Sequence, residues 1–320
     1  MVDSPVFLGL DTSNYTTSAA LVTEEGELLA NIKRPLPVKE GSTGLRQSDA
    51  VFAHVKNLPS LMEEVACTRG ERRLLAVGVS RRPRNAVGSY MPCFLVGEGV
   101  ADSIAATAHC PVYRFSHQCG HVMAALFSAG REDLLTSTFG AFHVSGGTTD
   151  VLRVRASEDG GFDAERVGGA CDLHAGQVID RVGVYMDLPF PAGPHMEALA
   201  LSYTGKVPSR KPSVKGMEAN LSGLENMAKD LYDATKDAAC VSAFVLRYIA
   251  ETLAALTRAY TEVYGPTTFL YAGGVMSNSI IKDRLRSSFD AAFATPPLSA
   301  DNAVGIACLA RRAHAGRPTT

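Results

Sequence analysis

An internal repetition constrains the fold of this chain more than any other feature of its sequence. Residues 6–30, VFLGLDTSNYTTSAALVTEEGELLA, have the pattern of an apolar strand, a polar turn at residues 11–17, a second strand, an acidic turn and a third strand. Residues 139–164, FGAFHVSGGTTDVLRVRASEDGGFDA, repeat this order of elements. Two Gly- and Thr-rich hairpins can resemble each other by chance, but the length of the match favours two duplicated lobes.

Helix and strand patterns alternate between and after the two hairpins, as a mixed sheet covered by helices requires. Residues 49–67 predict a helix interrupted at Pro59, and residues 117–130 predict a second helix. Residues 202–223 are rich in Ser, Pro and Lys and predict a loop. The fold class is therefore α/β.

Composition and charge exclude several classes of protein. The chain is 46% hydrophobic and 20% charged, which excludes a collagen, a coiled coil and a largely disordered chain. Its net charge of -2 draws it to no polyanion, so an RNA contact needs a local basic patch. Seven cysteines without a CxxC pair indicate a reducing compartment. No segment has the length and apolar composition of a membrane span, so we expect a cytoplasmic protein with no membrane contact.

Three segments end a predicted strand in small residues, which lets backbone amides approach phosphate oxygens. They are residues 11–13, 145–148 and 273–274. Glycine pairs also form ordinary tight turns, so one such segment alone is weak evidence for a phosphate-binding site. Three of them, two within the repeated hairpins, predict a nucleotide in a cleft between the lobes.

His117 and His121 stand four residues apart on a predicted helix, so both side chains project from one face and can bind one metal ion. The alternative is an exposed pair without a ligand. Asp301, at the start of the last predicted helix, is a candidate third ligand and equally a candidate helix N-cap. Two histidines and one carboxylate suit iron, zinc or manganese.

Two further groups of charged residues have open interpretations. Asp180 can hold ribose hydroxyls or magnesium, or it can be a surface charge beside Arg181. Basic residues in and near the predicted loop can contact a polyanion or remain solvated. They are Lys206, Arg210, Lys211, Lys215 and Lys229.

Several motifs together resemble the TsaD family of tRNA threonylcarbamoyladenosine synthases, formerly called glycoproteases or O-sialoglycoprotein endopeptidases. They are SHQCGHVMAAL, FHVSGGTTDVL, DLHAGQVIDRVGVYMDLPFPAGP, NLSGL, YAGGVMSN and SADNAVGIA, in family order and spacing over nearly the whole chain. The resemblance implies two duplicated RNase H-like lobes of the actin, Hsp70 and sugar-kinase type, with a nucleotide cleft between them. Lobe I would be residues 1–115 plus a C-terminal helix at about 301–316, and lobe II residues 116–300 with insertions at about 165–235.

The resemblance also implies the site residues. The metal ligands correspond to His117, His121 and Asp301. The residues that bind the adenylate substrate correspond to His143, Val144, Ser145, Gly146, Gly147, Asp180, Gly193 and Asn278. No catalytic residue is predicted, and we find no Ser-His-Asp or cysteine constellation that supports a peptidase.

The chain departs from the family pattern at three places. Where the family reads ETSCDET, Tyr15 and Thr16 replace an adjacent acidic pair, which removes a candidate general base. RRPRNAVGSYMP, at residues 81–92, replaces the family's PGL segment, and from PELASRDH only the final histidine is kept, as His54. These differences indicate a divergent member or a paralogue.

By resemblance, we expect metal-dependent transfer of a threonylcarbamoyl group from threonylcarbamoyl-AMP to the adenosine adjacent to the anticodon in tRNA. The implied cofactor is one divalent metal ion, with iron or zinc before manganese or magnesium, and the nucleotide is the adenylate or ATP or ADP. The implied partners are tRNA, a metal-free paralogue and an ATPase. Two alternatives stay open: a nucleotide- and metal-binding paralogue without tRNA-modifying activity, and a carbamoyltransferase that acts on a small molecule.

Overall fold

The computed structural model describes residues 4–13, 15–37, 45–156, 162–295, 298 and 303–316. In chain order the elements are β1 (Val6–Ser13), β2 (Thr16–Thr23), β3 (Leu28–Pro35), α1 (Gln47–Arg69), β4 (Leu74–Arg82), α2 (Phe94–Ala108), β5 (Val112–Ser116), α3 (His117–Ala129), β6 (Phe139–Val144), β7 (Thr149–Ala156), β8 (Phe162–Ala170), α4 (Ala175–Tyr185), α5 (Gly193–Ser202), β9 (Val214–Lys215), β10 (Glu218–Ala219), α6 (Ser222–Thr235), α7 (Ala238–Tyr264), β11 (Phe269–Ala272), α8 (Ser279–Arg286), β12 (Ala291–Phe293) and α9 (Val304–Ala315). Short 3₁₀ helices span Glu132–Thr136 and Gly274–Ser277.

The chain divides into two compact units. The first comprises residues 1–135, 155–164 and 300–320, and the second comprises residues 136–154 and 165–299. The sequence placed the first boundary between residues 115 and 116, whereas the structure keeps α3 with the first unit. It also keeps α9 there.

The first unit contains a five-stranded sheet in the order β3-β2-β1-β4-β5. β1, β2 and β3 are antiparallel neighbours, while β4 is parallel to both β1 and β5. The predicted hairpin is confirmed, but its turn is shorter than expected. Residues 11–13 continue β1 and pair with residues 16–18 of β2, so they form part of the ladder and not of a loop. The expected interruption of α1 is also wrong, because Pro59 lies inside one continuous helix.

Glycines allow α9 to lie directly on this sheet and on α3. A Cβ on Gly9 of β1 would lie 2.3 Å from the carbonyl oxygen of Ala303, and a Cβ on Gly305 would lie 1.9 Å from that of Gly120. No larger side chain fits at this backbone-to-backbone approach. The close packing of α3 on α9 explains why α3 belongs to the first unit.

The second unit contains a seven-stranded sheet in the order β12-β11-β6-β7-β8-β10-β9. The repeated hairpin is confirmed, since β6 and β7 pair antiparallel and β8 follows as their neighbour. Tyr271 of β11 stacks on Phe142 of β6 at 4.9 Å, and its hydroxyl lies 2.8 Å from Thr257 Oγ1 of α7. The predicted loop at residues 202–223 contains only the short β9 and β10 before α6 begins.

α7 is the central helix of this second core. It is long and apolar enough to cross a membrane, contrary to the expectation that no window would qualify, but 78% of its apolar window is buried inside the protein. A core helix has this burial. Sixteen of its residues are buried, which fits a helix that packs inside the protein and not a lipid-facing surface.

Candidate functional site

The structure brings His117 and His121 together on the first turns of α3. Their Nε2 atoms lie 2.9 Å apart, with the ring centroids 4.3 Å apart. α3 begins directly after β5, and Ser116 is its N-cap, since its hydroxyl accepts a hydrogen bond from the backbone N–H of Cys119 at 3.2 Å. Two imidazole nitrogens that face each other in this way can share one cation.

Asp11 orients the first histidine. Its carboxylate is 1% exposed, and Oδ2 lies 2.6 Å from His117 Nδ1. The other oxygen, Oδ1, accepts from the backbone N–H of Ser13 at 2.9 Å. A carboxylate that accepts from Nδ1 holds the proton there and leaves Nε2 as the lone-pair donor. Asp11 therefore acts as a positioning residue, a role that the sequence analysis did not assign to it.

His54 supports the same strand end from α1. It is fully buried, and its Nε2 lies 2.9 Å from the carbonyl oxygen of Ser13, so Nε2 carries the donated proton. Its Nδ1 then accepts from Thr17 Oγ1 at 2.8 Å, and Asn57 Nδ2 donates to the same hydroxyl at 3.1 Å. Burial lowers the pKa of His54, which keeps the ring neutral.

The predicted third metal ligand, Asp301, lies outside the described residues. Within the described part of the chain, no group of three or more His, Cys, Asp or Glu side chains could hold a metal ion. The described donors are therefore the two imidazoles of His117 and His121, oriented by Asp11. This donor set fits a divalent cation if one further ligand completes it.

In the second unit, the turn between β6 and β7 presents an open backbone face. Ser145 N–H donates to the carbonyl of Thr148 at 2.8 Å, and Gly147 N–H lies 3.3 Å from Ser145 Oγ. A Cβ added to Gly146 or Gly147 would meet no atom within 4 Å. Before the turn, Val144 is buried while His143 is only partly buried. The exposed glycine pair can therefore approach an anionic ligand closely.

Two other elements of the second unit press against this turn through glycines. A Cβ on Gly176, in the first turn of α4, would lie 2.6 Å from the backbone nitrogen of Gly146. Gly273 has φ 101°, and a Cβ there would lie 2.2 Å from the carbonyl oxygen of Val144. The amino end of α4 and the 3₁₀ helix after β11 thus flank the turn.

Asp180 and Gly193 lie where α4 meets α5. Asp180 Oδ1 accepts from the backbone N–H of Ala192 at 2.9 Å, which fixes the residue immediately before Gly193. Arg181 instead contacts Glu225, at 3.2 Å. Asp180 therefore holds the connection between α4 and α5, and its assignment to a ribose hydroxyl stays a prediction.

Asn278 is the N-cap of α8. Its Oδ1 accepts from the backbone N–H of Ile281 at 3.1 Å. Glu197 of α5 accepts from the backbone N–H of Ser279 at 2.6 Å and ties α5 to the same helix end. These contacts connect the turn, α4, α5 and α8, so the residues that the resemblance assigns to the adenylate lie on one group of elements in the second unit. Residues 11–13, which were also expected to approach a phosphate, belong to β1 of the first unit. Glu197 was missed, because a lone glutamate in a helix gives no sequence signal.

Comparison with known proteins decides the family. A family model described as TsaD, tRNA N6-adenosine threonylcarbamoyltransferase, matches residues 38–308. The chain belongs to the TsaD family. A tRNA N6-adenosine threonylcarbamoyltransferase of Streptococcus suis is 31% identical, over 97% of this chain and 93% of that protein. A probable bifunctional tRNA threonylcarbamoyladenosine biosynthesis protein of Methanocaldococcus jannaschii is 26% identical, and this chain spans 55% of its length.

Solved structures show the fold of this TsaD-family chain. The (R)-2-hydroxyglutaryl-CoA dehydratase component A of Acidaminococcus fermentans has a TM-score of 0.55 at 15% identity, covering 98% of this chain and 100% of that one. A ROK family glucokinase of Streptomyces griseus, in complex with glucose and AMPPNP, has a TM-score of 0.52 at 14% identity, covering 96% of this chain and 99% of that one. Full-length HypF has a TM-score of 0.57 at 12% identity, covering 98% of this chain and 56% of that one. The predicted fold, two duplicated RNase H-like lobes of the actin, Hsp70 and sugar-kinase type, is confirmed.

Proposed function

We propose that this chain transfers a threonylcarbamoyl group from threonylcarbamoyl-AMP to the adenosine adjacent to the anticodon in tRNA, with a divalent cation at His117 and His121. The observation that carries the proposal is the oriented pair of histidines in a TsaD-family chain: Asp11 Oδ2 lies 2.6 Å from His117 Nδ1, and His117 Nε2 lies 2.9 Å from His121 Nε2. Asp301 would be the third ligand, as the resemblance implies.

The residues of the first unit prepare donor atoms for the cation. Asp11 holds the proton on His117 Nδ1, so the Nε2 lone pair points toward His121. The cation, iron or zinc before manganese or magnesium, would supply Lewis-acid polarisation of a bound carbonyl group. The network of Thr17, His54 and Ser13 keeps Asp11 in place from the other side.

The residues of the second unit would hold the adenylate. The open turn would offer its phosphate the backbone N–H of Gly146 and the hydroxyl of Ser145, since the backbone N–H groups of Ser145 and Gly147 donate within the turn. Asp180 uses Oδ1 to accept from the Ala192 amide, and its Oδ2 can accept from a ribose hydroxyl. His143, Val144, Gly193 and Asn278 complete the set that the resemblance assigns to this substrate.

In the proposed reaction, the exocyclic amine of adenosine attacks the carbamoyl carbon. A C–N bond forms, the bond between that carbon and the phosphate oxygen breaks, AMP leaves and the amine loses a proton. The backbone N–H of Gly146 and the hydroxyl of Ser145 would stabilise the charge on the departing phosphate. We propose that the protein works in the cytoplasm with a metal-free paralogue and an ATPase, and its seven cysteines without a CxxC pair support a reducing compartment.

One observation favours a second candidate, a nucleotide- and metal-binding paralogue without the tRNA reaction. Tyr15 and Thr16 stand where the family carries two carboxylates, and the Tyr15 side chain is 47% exposed. The turn between β1 and β2 therefore offers neither of the acidic groups that could accept the proton of the amine.

A reconstituted assay tests the proposal. The purified protein would be incubated with threonylcarbamoyl-AMP, unmodified tRNA and the two partner proteins, and the digested nucleosides analysed by mass spectrometry. We expect threonylcarbamoyladenosine from the wild type and none from the His117→Ala, His121→Ala variant. If the wild type binds metal and nucleotide but forms no product, the second candidate is correct.

A further inference from the structure

Three arginines lie at the end of β4 and just after it in the first unit, at the place where the family's PGL segment is absent. We propose that Arg81, Arg82 and Arg84, called here the arginine segment, bind a phosphate group beside the histidine pair. The inference rests on the proposed function, since the phosphate would belong either to the adenylate donor or to the tRNA backbone.

The arginine segment is attached to the helix that carries the histidines. Arg82, the last residue of β4, pairs with Ser116, which is the N-cap of α3. The carbonyl oxygen of Pro83 accepts from the backbone N–H of Gln118 at 3.0 Å, in the first turn of α3. His117 lies between these two anchor points in the sequence. A ligand bound by the arginine segment would therefore lie close to His117.

Arg82 has hydrogen-bonding capacity that the protein itself does not use. Its Nη2 donates to Asn85 Oδ1 at 3.2 Å, but its Nε is buried and has no hydrogen-bond partner in the described part of the chain. A buried donor without an acceptor destabilises the folded protein, and more so when it belongs to a charged group. A bound anion would remove this penalty.

The positive charge of the segment is poorly compensated. Among the described residues, no carboxylate lies within 4.0 Å of a nitrogen of Arg82 or Arg84. Arg81 is half exposed, and its Nε is 3.9 Å from Glu98 Oε1, an oxygen that also lies 3.2 Å from Arg114 Nε. Among the described residues, Arg81 is therefore the only member of the segment with a carboxylate within 4.0 Å, and it shares that carboxylate with Arg114.

The chemistry of guanidinium groups selects the ligand. An arginine presents a planar fork of N–H donors that matches two phosphate oxygens, and it stays charged at any physiological pH. Both substrates of the proposed reaction carry phosphate. The family's PGL segment has no cationic side chain, so the arginine segment would give this chain a phosphate contact that the motif itself does not supply.

Binding measurements with the intact protein test the inference. The probes are AMP, adenosine and unmodified tRNA, and the test variant is Arg82→Met, Arg84→Ala. The matched control is Arg73→Ala, Arg258→Ala, which removes the same charge at two other exposed positions. Arg82→Lys keeps the charge without the guanidinium fork and serves as a milder variant. Thermal unfolding shows that each variant is folded.

If the phosphate is that of the donor, the test variant loses about tenfold or more in AMP affinity, while adenosine binding is unchanged. If it is an RNA phosphate, tRNA affinity falls, and the slope of log K against log salt becomes shallower by about 1.4–1.8 while AMP binding is unchanged. In either case the affinity of Arg82→Lys for the probe lies between those of the wild type and the test variant, and the control binds the probe as the wild type does.

The inference is overturned if the test variant binds AMP and tRNA as the control does, or if the wild type binds neither probe. Failure of the proposed function gives a different result. If only the proposed function fails, the test variant still loses its phosphate-dependent affinity as expected, but the wild type forms no modified adenosine.

Discussion

Asp11 and His117 are 106 residues apart in the sequence, yet Asp11 Oδ2 and His117 Nδ1 lie 2.6 Å apart. The contact joins the end of β1 to the start of α3 and directs His117 Nε2 toward His121 Nε2, 2.9 Å away. A histidine that receives support at one nitrogen is a better-oriented ligand through the other. The contact therefore turns two helix residues into an ordered pair of donors.

The first prediction concerns this contact. Asp11→Asn keeps the shape of the side chain but replaces the ionised acceptor with a neutral amide. We expect its affinity for Zn²⁺, measured by competition with a chelator, to fall about 10–100-fold, as for other residues that orient metal ligands. The exposed Asp102→Asn is the control and should bind as the wild type does. Equal affinities for the Asp11 variant and the wild type would show that Asp11 does not orient the site.

The second prediction concerns His54 and pH. The pKa of an unfolded histidine is about 6.5, and burial lowers that of His54 in the folded protein. As pH falls below about 6.5, the unfolded chain binds a proton that the folded chain does not, so stability is lost by up to about 1.4 kcal/mol per pH unit. The contribution of neutral His54 to the free energy of unfolding is fully present above about pH 6.5.

Urea unfolding at pH 7.5 and pH 5.5 measures this effect. His54→Gln does not titrate, and its amide can still donate to the carbonyl of Ser13, so its free energy of unfolding should change less between the two pH values than that of the wild type. The same change in both proteins would show that His54 does not contribute to acid sensitivity.

The third prediction concerns the packing of α9. A Cβ on Gly305 would lie 1.9 Å from the carbonyl oxygen of Gly120, so Gly305→Ala should destabilise the protein by about 3 kcal/mol in denaturant unfolding. Gly99→Ala is the matched control, because Gly99 lies in α2 with no atom within 4 Å of a new Cβ. It should be neutral or stabilise by about 0.5–1 kcal/mol. Equal stabilities for the two variants would contradict the close approach of α3 and α9.

The sequence predicted the strands of both hairpins because apolar residues alternate with small ones along them. The four-residue spacing predicted the histidine pair on one helix face. The Asp11–His117 contact was not predictable in this way, since it depends on how β1, β4 and β5 align and not on local sequence. The continuous helix through Pro59 was also missed, because α1 packs on β2 and β3 and buries residues on both sides of Pro59, and such tertiary contacts override local preference.

The fourth prediction separates two roles of Asn278. Its Oδ1 caps α8, so Asn278→Ala should lose about 1 kcal/mol of stability. Asn278→Asp keeps the capping oxygen but removes the amide donor. We expect it to keep its stability but to bind adenosine about tenfold more weakly, as measured by calorimetry. Unchanged adenosine binding in Asn278→Asp would mean that Asn278 is only a helix cap.

Single-turnover transfer is the most direct test of the proposed function. Excess protein and its partners would be mixed with threonylcarbamoyl-AMP labelled in the threonine, together with unmodified tRNA, and the label would be followed in tRNA and in free threonine. We expect the label to enter the adenosine beside the anticodon as AMP appears, and the His117→Ala, His121→Ala variant to leave the tRNA unlabelled. Label that reaches only free threonine, or transfer that the double variant performs as well as the wild type, would contradict the proposed function.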